Sequence, residues 1–260
     1  MANLFNEQAS FYAAARPDYP SSLFSFLASL SSHHHRAWDV GTGSGQAAIA
    51  LAEHYEGVIG TDTSEAQLAH AHKRDNIKYV CTRPGLSHED LENIVGGEGT
   101  VDIVTVAQAL HWFELDSFYG NVKKVLKKPG GIFAAWCYTE PIVCKEVDDI
   151  FWDFYNESGP YWDPARKMVD DEYRSIPFPF EPVRSLDGTG PFRFESKKVM
   201  NVETFLIYLG SMSVLQGARS EGVELLHESR KSAFRAAWGD GVRTVTYPIH
   251  LRVGCVLQGA

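Results

Sequence analysis

The chain has 260 residues, 44% hydrophobic and 22% charged, with a formal net charge of −9. These are the proportions of a globular protein long enough to bury a core without disulfides or metals. The acidic balance opposes binding to nucleic acid or an anionic membrane surface. No run of about 18 uncharged apolar residues suits a membrane span, and the opening Met1–Glu7 has neither the basic nor the apolar region of a secretory signal. Cys81, Cys137, Cys144 and Cys255 show no zinc or redox spacing and read as reduced thiols of a cytoplasmic protein. The run His33-His34-His35 reads as a solvated loop, because consecutive side chains diverge and rarely chelate one ion, so no metal site is expected.

Taken in chain order, Ala37–Val40 predicts a short strand that ends in a glycine-rich turn. Gln46–Tyr55, rich in Ala, Ile and Leu, predicts a helix stopped at Gly57. Val58–Thr61 is a second strand, and Ser64-Glu-Ala-Gln67 is a capping box opening a helix to about His72. Ile77–Cys81 and the β-branched Val101–Ala107 are strands three and four. Leu115, Phe118, Tyr119, Val122, Val125 and Leu126 recur at helical spacing, and Ile132–Trp136 is strand five. Residues 141–182 break the rhythm and predict one or two amphipathic helices and a proline-rich loop over the sheet. Phe192–Val199 predicts a strand, Asn201 caps a helix over Val202–Met212, a second helix covers Glu221–Trp238, and Arg243–Val256 forms a final, antiparallel strand.

Strand and helix alternating at this spacing imply parallel strands joined by right-handed crossovers. The expected fold is α/β, a doubly wound and mostly parallel seven-stranded sheet with a helical, aromatic-rich cap insertion. The expected layout is a single domain: an N-terminal lid over 1–35, a cofactor-binding α/β half over 36–137, a cap with late sheet elements over 138–240, and the last strand over 241–260.

The central motif is Asp39-Val-Gly41-Thr-Gly43-Ser-Gly45-Gln46, between a predicted strand and a predicted helix. Glycine there permits positive φ and close approach of backbone to ligand. A nicotinamide loop of the G-x-G-x-x-G type needs its third glycine at 46, where this chain has Gln46. Asp62, after the second strand, stands where a carboxylate accepts both ribose hydroxyls of a nucleoside.

The D-x-G-x-G-x-G segment resembles the class I S-adenosylmethionine-dependent methyltransferases. Phe11-Tyr12-x-x-x-Arg16-Pro17-x-Tyr19-Pro20, Ala107–Phe113 and Lys124–Trp136 are similar to a group that includes trans-aconitate methyltransferases and plant embryo-abundant-type proteins. The resemblance covers roughly residues 8–136. It implies S-adenosyl-L-methionine as cofactor, held by Tyr12, Asp39, Gly41, Gly43, Gly45, Asp62, Thr63, Thr82 and Gln108. Many relatives carry an acid after the third strand; here Cys81-Thr82-Arg83 has none, which leaves backbone or Thr82 for the adenine.

Ligands of open α/β sheets lie beyond the carboxyl ends of the strands. That places His111 and Trp112 beside the transferring methyl as candidate catalytic and substrate-contacting residues, with Arg16 and Tyr138 as further substrate contacts. His111 can serve as a base, as a donor to an acid substrate, or as a packing residue. Trp152, Tyr155, Tyr161 and Trp162 can shape an apolar pocket. The expected reaction is methyl transfer to a small molecule, foremost a carboxylate oxygen. The alternatives are a thiol, amine or phenol acceptor, or a non-catalytic adenosylmethionine-binding protein. The expected partner is that small molecule, with no nucleic acid and no membrane, and the chain as monomer or homodimer.

Overall fold

A computed structural model describes residues 17–258. Helix α1 (Ser21–Leu30) precedes strand β1 (Arg36–Val40), which is followed by α2 (Gln46–Leu51), β2 (Gly57–Asp62), α3 (Glu65–Ala69) and β3 (Ile77–Cys81). Next come α4 (His88–Val95), β4 (Ile103–Ala107), a 3₁₀ turn at Leu110–Trp112, α5 (Leu115–Val125) and β5 (Ile132–Tyr138). The later elements are α6 (Lys145–Ser158), α7 (Arg166–Asp170), β6 (Phe192–Met200), α8 (Val202–Gly210), α9 (Ser213–Ser220), α10 (Glu228–Trp238) and β7 (Arg243–Cys255). The sheet order is β3-β2-β1-β4-β5-β7-β6. Strands β1 to β5 pair in parallel, and β7 runs antiparallel to β5 with Ile132 opposite Cys255 and Tyr138 opposite Ile249.

Two compact units share these elements: one is formed by Tyr19–Thr139, Lys167–Phe194 and the chain from Ile249, the other chiefly by Glu140–Arg166 and Glu195–Pro248. In the first, the parallel strands are buried on both faces. Trp38, Val104, Val106, Phe133, Ala135 and Cys137 join one core with Leu91 and Val95 of α4 and Tyr119, Val122 and Val125 of α5. Their sequence neighbours Ala37, Ile103, Ile132, Ala134 and Trp136 join the other, with Leu23, Phe24 and Leu27 of α1 and Ala47, Ala48 and Leu51 of α2. Alternation along each strand thus feeds two cores, which is why the sequence shows apolar runs rather than a polar face.

The second unit is built on aromatic packing. Val147, Phe151 and Phe154 form the buried stripe of α6, which packs on α10. The Phe205 ring lies 5.8 Å from Phe234, edge to face, and 5.2 Å from Trp238, tilted against it. Tyr155, Trp162 and Arg166 form one cluster: the guanidinium lies 4.7 Å above the Trp162 ring, donates to the Tyr155 hydroxyl at 3.2 Å and pairs with Glu140. Trp152 is 47% exposed.

The structure differs from the sequence reading at identifiable points. Residues 21–30, included in the expected lid, form a helix that buries one face, Leu23, Phe24, Leu27 and Ala28. Helix α4 was not expected, although Ser87 caps it by accepting from the Asp90 amide. The expected helix over Glu221–Trp238 starts only at Glu228, because Gly222 at φ 79° ends α9 before it. No helix among the described residues is long and apolar enough to cross a membrane.

Candidate active site

The loop after β1 is shaped by three glycines in the left-handed region, Gly41 at φ 66°, Gly43 at 56° and Gly45 at 79°. Two of them are also fixed by space. A Cβ on Gly41 would lie 2.8 Å from the Ala109 methyl, and one on Gly45 would lie 2.2 Å from the Tyr79 hydroxyl. A Cβ on Gly43 would meet nothing within 4 Å. The loop is therefore packed from beneath at its ends and open at its centre. Tyr79, which the sequence reading did not single out, is the strut: its hydroxyl donates to the His72 carbonyl at 2.8 Å.

Asp39 lies under the loop and is fully buried. One carboxylate oxygen accepts from the Thr42 hydroxyl at 2.5 Å and the other from Thr105 at 2.7 Å. Burial raises its pKa to about 6, against the pull of the two hydroxyls and with a small push from the Asp62 charge. The native state thus keeps this proton across a window, about pH 4 to 6, in which the unfolded chain has released it. Its contribution to stability falls as pH rises through that window, by about 3 kcal/mol in all. The stability of the wild type minus that of Asp39→Asn should accordingly drop by about this amount between pH 4 and pH 7 in the unliganded protein. Urea denaturation at both pH values checks it, and a difference that does not change with pH would count against a buried, ionising Asp39.

Asp62, partly buried at the end of β2, accepts from the Gly43 amide at 2.8 Å and the Ser64 amide at 2.9 Å. A carboxylate offers about four lone-pair sites, so two are left for the hydroxyl pair of a ribose. Thr63 follows it, exposed. The Thr82 amide, at the end of β3, donates to the Asp62 carbonyl at 2.9 Å, which places Thr82 on the neighbouring strand end. The loop, Asp62 and Thr82 fit an adenosyl cofactor: glycine backbone open over Gly43, an acid at the ribose position and a threonine next to it.

At the end of β4, Gln108 takes φ 57°, unusual for a residue with a Cβ. Its amide donates to the Trp136 carbonyl at 2.8 Å, and its side-chain carbonyl accepts from the Tyr138 amide at 2.8 Å. Gln108 and Tyr138 thus extend the β4–β5 pairing past the last strand residue. The 3₁₀ turn then presents His111, partly buried, and Trp112, 56% exposed, with ring centroids 4.7 Å apart. The Nδ1 of His111 is 2.8 Å from the hydroxyl of Tyr173. Tyr173, a second residue the sequence reading missed, is fully buried and sits at φ 61° after Glu172 at φ 64°. Tyr12 and Arg16 lie outside the described residues.

Comparison with known proteins gives one consistent answer. A family model described as a methyltransferase domain matches residues 38–135. A Dictyostelium discoideum protein named as a methyltransferase is 30% identical over 257 residues, 95% of this chain and 92% of its own length. A Saccharomyces cerevisiae protein described as an S-adenosylmethionine-dependent methyltransferase is 30% identical over 179 residues, 66% of this chain and 58% of its own. Among solved structures, one from Anaeromyxobacter dehalogenans, described as a type II methyltransferase, superposes with a TM-score of 0.80 at 34% identity, over 94% of this chain and 99% of that one.

Proposed function

The chain belongs to the class I S-adenosylmethionine-dependent methyltransferases, and we propose that its acceptor is a carboxylate oxygen on a small, partly apolar molecule. The observation that carries this reading is the His111–Trp112 pair: a hydrogen-bonding ring fixed by a buried phenol, set against an indole face that is more than half exposed. Such a pair suits an acid with an apolar body, the imidazole holding the carboxylate and the indole the rest. The N-terminal resemblance to the trans-aconitate methyltransferase group supports the same class.

When bound, S-adenosylmethionine supplies a methyl group on a sulfonium, whose departure as a thioether needs no acid. The backbone from Gly41 to Gly45 and the carboxylate of Asp62 would hold the cofactor, while Asp39 fixes the loop from below through Thr42 and strand β4 through Thr105. The Gln108–Tyr138 link holds the ends of β4 and β5 together beside His111. A carboxylate is already a nucleophile at neutral pH, so the chain has only to align it and exclude water.

A labelled-methyl assay over pools of carboxylic acids, phenols, thiols and amines tests the reading, with base-labile label in the acid pool as the expected result. Label confined to amines or thiols would overturn it. With a carboxylate acceptor, His111→Gln should keep its rate within about tenfold, whereas loss of a general base toward a phenol or amine would cost about 10²–10⁴.

A further inference from the structure

Tyr173 reaches His111 from 62 residues away in sequence, and the chain is bent hard to bring it there. Glu172 and Tyr173 both adopt positive φ, a conformation L-residues take up at an energetic cost and that is concentrated at functional sites. The bend is held from three sides. The Tyr173 amide donates to the Met168 carbonyl at 2.8 Å, its carbonyl accepts from the Arg252 guanidinium at 2.8 Å, and its ring is sealed in the core that contains Val169 and Cys137.

The hydroxyl meets the 3₁₀ turn at His111 Nδ1 and is buried with the rest of the ring. A buried hydroxyl hydrogen is costly to leave without an acceptor, and Nδ1 can accept it only when that nitrogen is unprotonated. The phenol therefore donates to Nδ1. Burial also pushes the phenol well above its usual range, so the hydrogen is present at any working pH.

We propose that Tyr173 is the positioning residue that donates to His111 Nδ1 and thereby holds the imidazole in the tautomer protonated at Nε2. His111 is then a hydrogen-bond donor of fixed direction, because its accepting nitrogen is already engaged by the phenol. The consequence for methyl transfer rests on the placement of the acceptor at His111 given above; the tautomer itself does not. A donor of this kind orients a carboxylate and takes no proton from it, which is the specificity the proposed reaction requires.

The test is ring-nitrogen NMR of the full chain with ¹⁵N-labelled histidine at pH 7.5, the His111 signals being identified by their loss in His111→Gln. Wild type should show Nδ1 at the downfield position of an unprotonated ring nitrogen and Nε2 at the upfield position of a protonated one. In Tyr173→Phe, which keeps the ring and removes only the hydroxyl, both signals should move toward the average of mixed tautomers. A wild-type spectrum protonated at Nδ1 or at both nitrogens would overturn the proposal, and it does so even where the variant does not fold. An unchanged His111 pattern in folded Tyr173→Phe would overturn it too. If the expected tautomer is found but the acceptor screen labels no acid, the carboxylate reading fails and the positioning role of Tyr173 stands.

Discussion

Gly45→Ala is expected to cost the folded protein about 2–5 kcal/mol, combining left-handed backbone strain with overpacking. Gly43→Ala, two residues away, should cost only about 1–2 kcal/mol of stability and remove cofactor binding instead. The difference follows from what surrounds each position. A methyl on Gly45 collides with Tyr79, whose hydroxyl is tied to His72 and whose ring carbon Cζ would still lie 2.9 Å away if the hydroxyl were removed. A methyl on Gly43 has open space around it, and that space is where the loop would receive its ligand. Urea denaturation separates the stabilities, and calorimetry with S-adenosylhomocysteine separates the affinities. A Gly43→Ala variant that binds within about tenfold of wild type, a change of 1.4 kcal/mol, would mean that nothing sits over Gly43.

Asp62→Ala should raise the Kd for S-adenosylmethionine by roughly 10² or more. Two hydroxyl bonds to a carboxylate are worth about 1.5–3 kcal/mol each, and the variant also loses the bond that anchors the Gly43 amide. Asp62→Asn keeps one accepting oxygen and should fall between alanine and wild type. The ordering is the informative part. An asparagine variant as weak as alanine would assign the loss to charge, and an alanine variant with unchanged affinity would remove Asp62 from the ribose.

The parts of this site that were legible in the sequence are those made by neighbours in the chain. Gly41, Gly43, Gly45 and Asp62 announce themselves because a strand end, a tight turn and a helix start are each encoded within a few residues. Strand β3 was placed at Ile77–Cys81, the bounds found in the structure. Two helices were missed although their signals exist. Leu23, Phe24, Leu27 and Ala28 form a buried stripe at helical spacing, within the stretch that the expected layout assigns to the lid. Ser87 and Asp90 have the spacing of a capping box. Tyr79 and Tyr173 were not legible at all. Each acts on the site from a distant stretch of chain, and nothing in the residues around either one encodes that approach. The role suggested for Asp39 shows the same limit. Its place two residues before Gly41 was plain, but its engagement by Thr105, 66 residues on, follows only from the pairing of β1 with β4.

The place of β7 in the sheet has a consequence for how the chain is made. It is last in sequence, yet it lies between β5 and β6 and covers the full length of β5 from Ile132 to Tyr138. Until Ile249–Cys255 has left the ribosome, the outer side of β5 exposes a row of unpaired backbone groups within one of the most apolar stretches of the protein. Edges of this kind recruit other chains. At translation rates of about 5–20 residues per second, the gap between the two strands amounts to a delay on the order of ten seconds. A nascent chain whose parallel strands pair within that interval would carry an aggregation-prone edge, of the kind that chaperones shield.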